Sequence, residues 1–189
     1  MSRLWLIALL AILSPTAAFA QVYAVAQLGY ARADFPLGEP YNGVLDDSSI
    51  VYGVDVGFGF RKWAAEIGWN GYGAFDGNAT PCATGTVCTP TRVEVPNNDQ
   101  RVYKVSLVRR FDIAKLGFYG KAGYYRAKVS TNIDLPDANL DIDGLLLAAG
   151  IRWNFGDKPW TVGVEVSRYD DNVSQLTVGF GWRTQVLGN

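Results

Sequence analysis

Six charged residues stand where charge is costly. Asp55, Glu66 and Glu165 supply three carboxylates, and Lys104, Lys121 and Arg152 supply three cations; each lies on the small-grained side of a segment whose other side is large and apolar. By that parity all six would share one confined interior, where opposite signs must pair because an isolated buried ion is expensive. Three of each sign predict an ionic plug. Histidine is absent, which removes the commonest general base and metal ligand. A serine beside a carboxylate would lack the base that usually activates such a nucleophile. No catalytic, cofactor-binding or metal-ligating residue is therefore predicted, and no cofactor.

Two other groups carry chemistry. Cys82 and Cys88 lie in one polar stretch; if the chain is exported they are expected to form a disulfide, which orders that stretch by closing a short loop. The acidic run DLPDANLDIDG invites a calcium reading through Asp137, Asn139, Asp141, Asp143 and Gly144. With Asn139 as first ligand, however, the twelfth position is Gly150, where a bidentate carboxylate is required. A solvated acidic loop is the expectation. Net charge −1 gives no sign of nucleic-acid binding.

The elements that must position the six charges are strands. From Tyr52 the even positions read Tyr52, Val54, Val56, Phe58, Phe60 against Gly53, Asp55, Gly57 and Gly59; after Arg61–Lys62 the pattern resumes as Trp63, Ala65, Ile67, Trp69 against Ala64, Glu66, Gly68, Asn70. Strict period 2 marks a strand with two unlike faces, and a two-residue charged break marks a hairpin. Similar runs occupy 22–34, 101–111, 118–129, 145–155, 160–169 and 175–183, predicting eight strands.

The links between them fall into two classes. Arg61–Lys62, Asp112–Leu116 and Gly156–Pro159 are short, whereas 36–49, 76–100 and 134–143 are long and polar, and only 170–173 is short among the alternate set. Aromatics cluster at strand ends: Phe58, Trp63, Phe111, Trp153, Trp160 and Trp182 near the short turns, Tyr30, Tyr52, Tyr72, Tyr103 and Tyr169 near the long links. Link asymmetry with two aromatic girdles predicts an all-β fold, an eight-stranded antiparallel up-and-down transmembrane β-barrel. The competing soluble ligand-carrying barrel would turn its apolar residues inward and cover its exterior with charge. Residues 1–20, with Arg3, the apolar run Leu4–Leu13 and Ala18-Phe19-Ala20, read as a signal peptide, leaving 21–189 as the barrel domain.

The opening YAVAQLGYARADF, the later YGKAGYYRAKV and the closing QLTVGFGWR resemble the outer-membrane β-barrel family, meaning the OmpA-type transmembrane domain and its OmpX- and Ail-like relatives. The resemblance covers essentially all of 21–189. It implies a monomer in the Gram-negative outer membrane, inserted by the outer-membrane assembly machinery, with function borne by variable outside loops and an internal ion-pair network at Asp55, Glu66, Lys104, Lys121, Arg152 and Glu165. No peptidoglycan-binding domain is expected to follow. These barrels usually end on an aromatic residue, whereas this chain continues from Arg183 to Asn189; either the assembly signal is read at Phe180 and Trp182, or assembly is less efficient.

In that setting five basic residues gain meaning. Arg32, Arg101, Arg126, Lys128 and Arg168 fall on the apolar side of their strands at the long-link end, at the height of lipopolysaccharide phosphates, and are expected to contact them. The expected role is structural or surface-interacting, with the loops binding a partner the sequence does not name. The alternatives are a narrow, mostly closed ion channel and, further off, a lipid-modifying barrel enzyme. The enzyme families of that kind depend on a histidine.

Overall fold

The computed structural model describes residues 20–37, 41–60, 62–81, 91–95, 100–130, 139–156, 158–170 and 173–184. Ten strands are present among them: β1 (Ala20–Leu37), β2 (Tyr41–Phe60), β3 (Trp63–Tyr72), β4 (Phe75–Pro81), β5 (Thr91–Val95), β6 (Arg101–Ile113), β7 (Leu116–Ser130), β8 (Asn139–Asn154), β9 (Trp160–Tyr169) and β10 (Val173–Arg183). All pairings are antiparallel, in the order β1-β10-β9-β8-β7-β6-β3-β2, and β1 pairs with β2 to close the ring. The result is a closed eight-stranded barrel with no edge through its body, the one sheet form that can cross a bilayer with every backbone group paired.

β4 and β5 stand outside this ring. β4 pairs with the start of β2 (Tyr41↔Pro81 to Val44↔Asn78), and β5 pairs with β4 (Phe75↔Val95 to Ala79↔Thr91). The β1–β2 pairing also runs on to Leu37↔Gly43, beyond the last β1–β10 pair at Ala33↔Val173. All three of the long predicted loops therefore contain strand: 36–49 is largely the tip of the β1–β2 hairpin, and 76–100 carries β4 from Asp76 onward and all of β5. The third, 134–143, is entered by β8 at Asn139.

Side chains sort by parity as period 2 requires. Leu28, Val54, Ile67, Val105, Leu147, Val164 and Val178 lie at mid-height and are exposed, Leu28 to 61%. Asp55, Glu66, Asn70, Lys104, Thr177 and their neighbours are buried. Apolar outside and polar inside inverts the soluble pattern and suits a lipid exterior.

At the turn end, Phe58, Trp63, Phe111, Phe118, Trp153, Trp160, Phe180 and Trp182 face outward. Arg109 joins them, its guanidinium 4.7 Å from the Trp63 ring and 5.2 Å from that of Phe111, so the charge rests on aromatic faces at the interface. At the loop end the outward tyrosines are Tyr30, Tyr52, Tyr103 and Tyr124. Tyr72 and Tyr169 do not belong to that girdle: they are 4% and 2% exposed and point inward. Tyr72 shares parity with Asn70, and Tyr169 with Glu165, so the alternation itself places them inside.

Candidate functional site

The lumen is filled in layers. At mid-height Lys121 Nζ lies 3.2 Å from Asp55 Oδ2, 2.5 Å from Glu66 Oε1 and 2.7 Å from Glu165 Oε2. An ammonium has three N–H donors, and here each has its own carboxylate. Lys104 Nζ lies 2.8 Å from Asp55 Oδ1. Tyr23 donates to Glu66 Oε2 at 2.8 Å, and Tyr119 donates to Glu165 Oε2 at 3.0 Å. Three carboxylates thus share two ammonium groups and two phenols, held by strands β1, β2, β3, β6, β7 and β9. Glycine makes the room: a Cβ at Gly57 would fall within the Tyr23 ring, and one at Gly68 would strike the Asp55 carboxylate.

Above the ions lies an amide layer. Gln27 Nε2 donates to Asn70 Oδ1 at 3.2 Å, Asn70 Nδ2 donates to Tyr169 Oη at 3.1 Å and Gln175 Oε1 at 3.3 Å, and Thr177 Oγ1 donates to Gln27 Oε1 at 3.3 Å. Gln175 Nε2 donates onward to Tyr72 Oη. Above these amides an apolar layer closes the loop end, where Val51, Tyr72, Phe75, Val102, Tyr125, Leu146 and Tyr169 pack together. Tyr125 and Tyr169 meet edge to face at 5.0 Å. An ion crossing the barrel would have to part both layers.

Below the ions the turn end is basic. Arg110 Nη1 donates to Gln21 Oε1 at 3.0 Å, and its guanidinium lies 4.3 Å from the Tyr23 ring centre. Arg152 Nη2 lies 3.8 Å from Asp112 Oδ1. Of the six charges expected to form one network, Asp55, Glu66, Lys104, Lys121 and Glu165 come together, whereas Arg152 sits apart in this lower layer. Arg110, the buried Tyr23 and the partly buried Tyr119 are lumen positions that residue type alone does not mark. Their parity with Val108, Val25 and Lys121 was the available signal.

The five strand-end cations Arg32, Arg101, Arg126, Lys128 and Arg168 all face outward. They form two groups. Arg101 stands directly opposite Lys128 on β6 and β7, with Arg126 two residues along and opposite Asp143. Arg32 and Arg168 flank Ser174 from either side, and Arg168 Nε donates to the Asp170 carbonyl at 3.0 Å. Cys82, Cys88, Asp137 and the tail beyond Thr184 lie outside the described residues.

A family profile described as "Outer membrane protein beta-barrel domain" matches residues 4–183. The chain is similar in fold to the N-terminal β-barrel domain of Pseudomonas aeruginosa OprF, at 12% identity over 85% of this chain and 97% of that one, with TM-score 0.52. Neisserial surface protein A (15% identity, 87% and 96% coverage, TM-score 0.48) and the attachment invasion locus protein of Yersinia pestis (14%, 86% and 98%, TM-score 0.47) are further solved structures of the same kind. No curated protein matches by sequence.

Proposed function

The chain belongs to the outer membrane β-barrel domain family, and on that premise we propose that it is a closed barrel of the bacterial outer membrane whose work is done outside, by the sheet raised above its rim. The observation that carries this reading is the four-strand extension formed by the ends of β1 and β2 with β4 and β5. β5 has a neighbour on one side only among the described residues. A free strand edge presents a row of backbone N–H and C=O groups and can take an extended segment of another protein as one more strand. A surface-interaction role needs such a platform, and a lumen filled from its ions to its aromatic layer supports the platform without offering a path.

Replacing residues 76–95 by a short Gly/Ser turn is expected to leave the barrel folded, because β4 pairs with β2 at Tyr41–Val44, beyond the ring's β2–β3 pairs, and β5 pairs with β4. Cells displaying that variant should lose retention on protein-coated surfaces that hold cells displaying the parent. Equal retention on every surface that binds the parent would overturn the reading.

The outward cations add a lipid contact to this role. Like charges directly opposite across strands are unfavourable, and Arg101 faces Lys128 in that way. A phosphate between them reverses the sign, since guanidinium and ammonium both form charge-assisted bonds to it. Near an interface the cost of such cations toward lipid falls to about 0–1 kcal/mol. The combined variant Arg101→Gln, Lys128→Gln is expected to lose the thermal stabilisation that lipopolysaccharide gives the refolded parent, while being no less stable in detergent alone. Undiminished stabilisation by lipopolysaccharide would remove the belt.

A further inference from the structure

The lower lumen holds donors that its own side chains leave unused. Arg110 is 5% exposed, and its Nη2 is buried with no hydrogen bond among the described residues. Arg152 Nε is in the same condition. The carboxylate paired with it among the described residues, Asp112, stands 3.8 Å from Nη2 with its side chain 57% exposed to solvent. Arg183 is a third cation within electrostatic reach of Arg152.

Both unused groups belong to side chains that border one cavity of about 40 Å3, which Thr161 also lines. Asp55, Glu66 and Glu165 border it from above, but these carboxylates are already engaged by Lys121, Lys104, Tyr23 and Tyr119. They are therefore poor partners for a second pair of cations. Glycines shape the wall: a Cβ at Gly59 would come 3.1 Å from Arg110 Nη1, and one at Gly117 would come 3.5 Å from Arg152 Nη2. The guanidinium groups are thus laid against the barrel wall with donors to spare. A buried donor without a partner is costly, and more so when charged, and the two side chains that carry these donors border one small space.

We propose that this lower lumen is a binding site for one small inorganic anion, held between Arg110 and Arg152. Guanidinium N–H groups are fixed, always protonated donors, suited to an anion at a distance where an ammonium would need to reorient. A cavity of this size admits roughly three waters, so a halide or a small oxyanion fits and an organic acid does not. The carboxylates above set the orientation: the anion lies on the arginine side, and the paired ions bar it from rising further. The lower end, past Asp112, is its entry.

Crystals of the refolded barrel grown in sodium bromide test the site directly. An anomalous peak between Arg110 Nη2 and Arg152 Nε is expected in the parent and absent from Arg152→Met. No peak in the parent, or an equal peak in Arg152→Met marking an adventitious ion only, would overturn the proposal. In solution the parent should unfold about 3 °C higher in bromide than in gluconate at equal ionic strength. That difference should vanish in Arg152→Met and persist in Arg168→Gln, whose cation lies at the opposite rim. A bromide effect undiminished in Arg152→Met would show general salt action and refute the site.

Discussion

Lys121→Met is expected to be the most damaging single substitution in the barrel interior. The ammonium reaches Asp55, Glu66 and Glu165 at 3.2, 2.5 and 2.7 Å, and its side chain is 7% exposed. Methionine keeps much of the volume and removes the charge, leaving three carboxylates with Lys104, which is paired with Asp55 among the described residues. Removing one partner of a buried pair costs about 3–5 kcal/mol, and here one removal strands two acids. Thermal unfolding of the refolded variant should show that loss. The triple change Lys121→Met, Glu66→Gln, Glu165→Gln should recover much of it, since the stranded charges are then gone. If the single variant is as stable as the parent, water in the lumen is doing the neutralising and the network is not a structural plug.

The same variant separates a plug from a gate. In planar bilayers its conductance is expected to stay near that of the parent, because the layer of Val51, Tyr72, Leu146 and Tyr169 stands in series with the ions and is untouched. A large rise in conductance would make the ions the only barrier and would put the channel reading ahead of the surface role.

The mid-height ions were legible because the sequence there has a strong period. Asp55 lies between Val54 and Val56, and Glu66 between Ala65 and Ile67, so one face is unmistakably apolar and the other must carry the charge. Arg110 was harder to see, since Arg109, Arg110 and Phe111 put a charge on both faces at the strand end. There Arg109 rests outward on Trp63 and Phe111 while Arg110 turns in. Tyr72 and Tyr169 were misplaced by residue type: tyrosine at a strand end suggests an interface, yet their parity is that of the lumen. The raised strands β4, β5 and the tip of β2 left no periodic trace. A sheet standing clear of the bilayer has no face that must be apolar, so alternation is not selected and only backbone pairing reveals it.

A second large effect is expected from glycine. Within a strand, Gly→Ala ordinarily stabilises or does little, since alanine loses less freedom on folding. Gly120→Ala should follow that rule, because its nearest neighbour to a new Cβ is the Ala148 carbonyl oxygen at 3.9 Å. Gly29→Ala should reverse it. Gly29 is paired with Thr177 across the β1–β10 seam, and a Cβ there would lie 2.0 Å from the Leu176 carbonyl oxygen and 2.7 Å from Thr177 Cα. Gly123, paired with Ser106, is the same case, with the Val105 carbonyl oxygen at 2.2 Å. These obstacles are backbone, so no rotamer change relieves them; a glycine in a strand marks such an approach. The strands must part or shift, at about 1–3 kcal/mol for each site by the usual cost of overpacking. β1 is also the strand that closes the ring on β10, so parting it opens an edge to lipid, where unpaired backbone groups find no water. Gly29→Ala is therefore expected to unfold at lower temperature than Gly123→Ala, and both below the parent, with Gly120→Ala at or above it. Equal stability of all three would mean that the close approach at the seam is not what holds those positions to glycine.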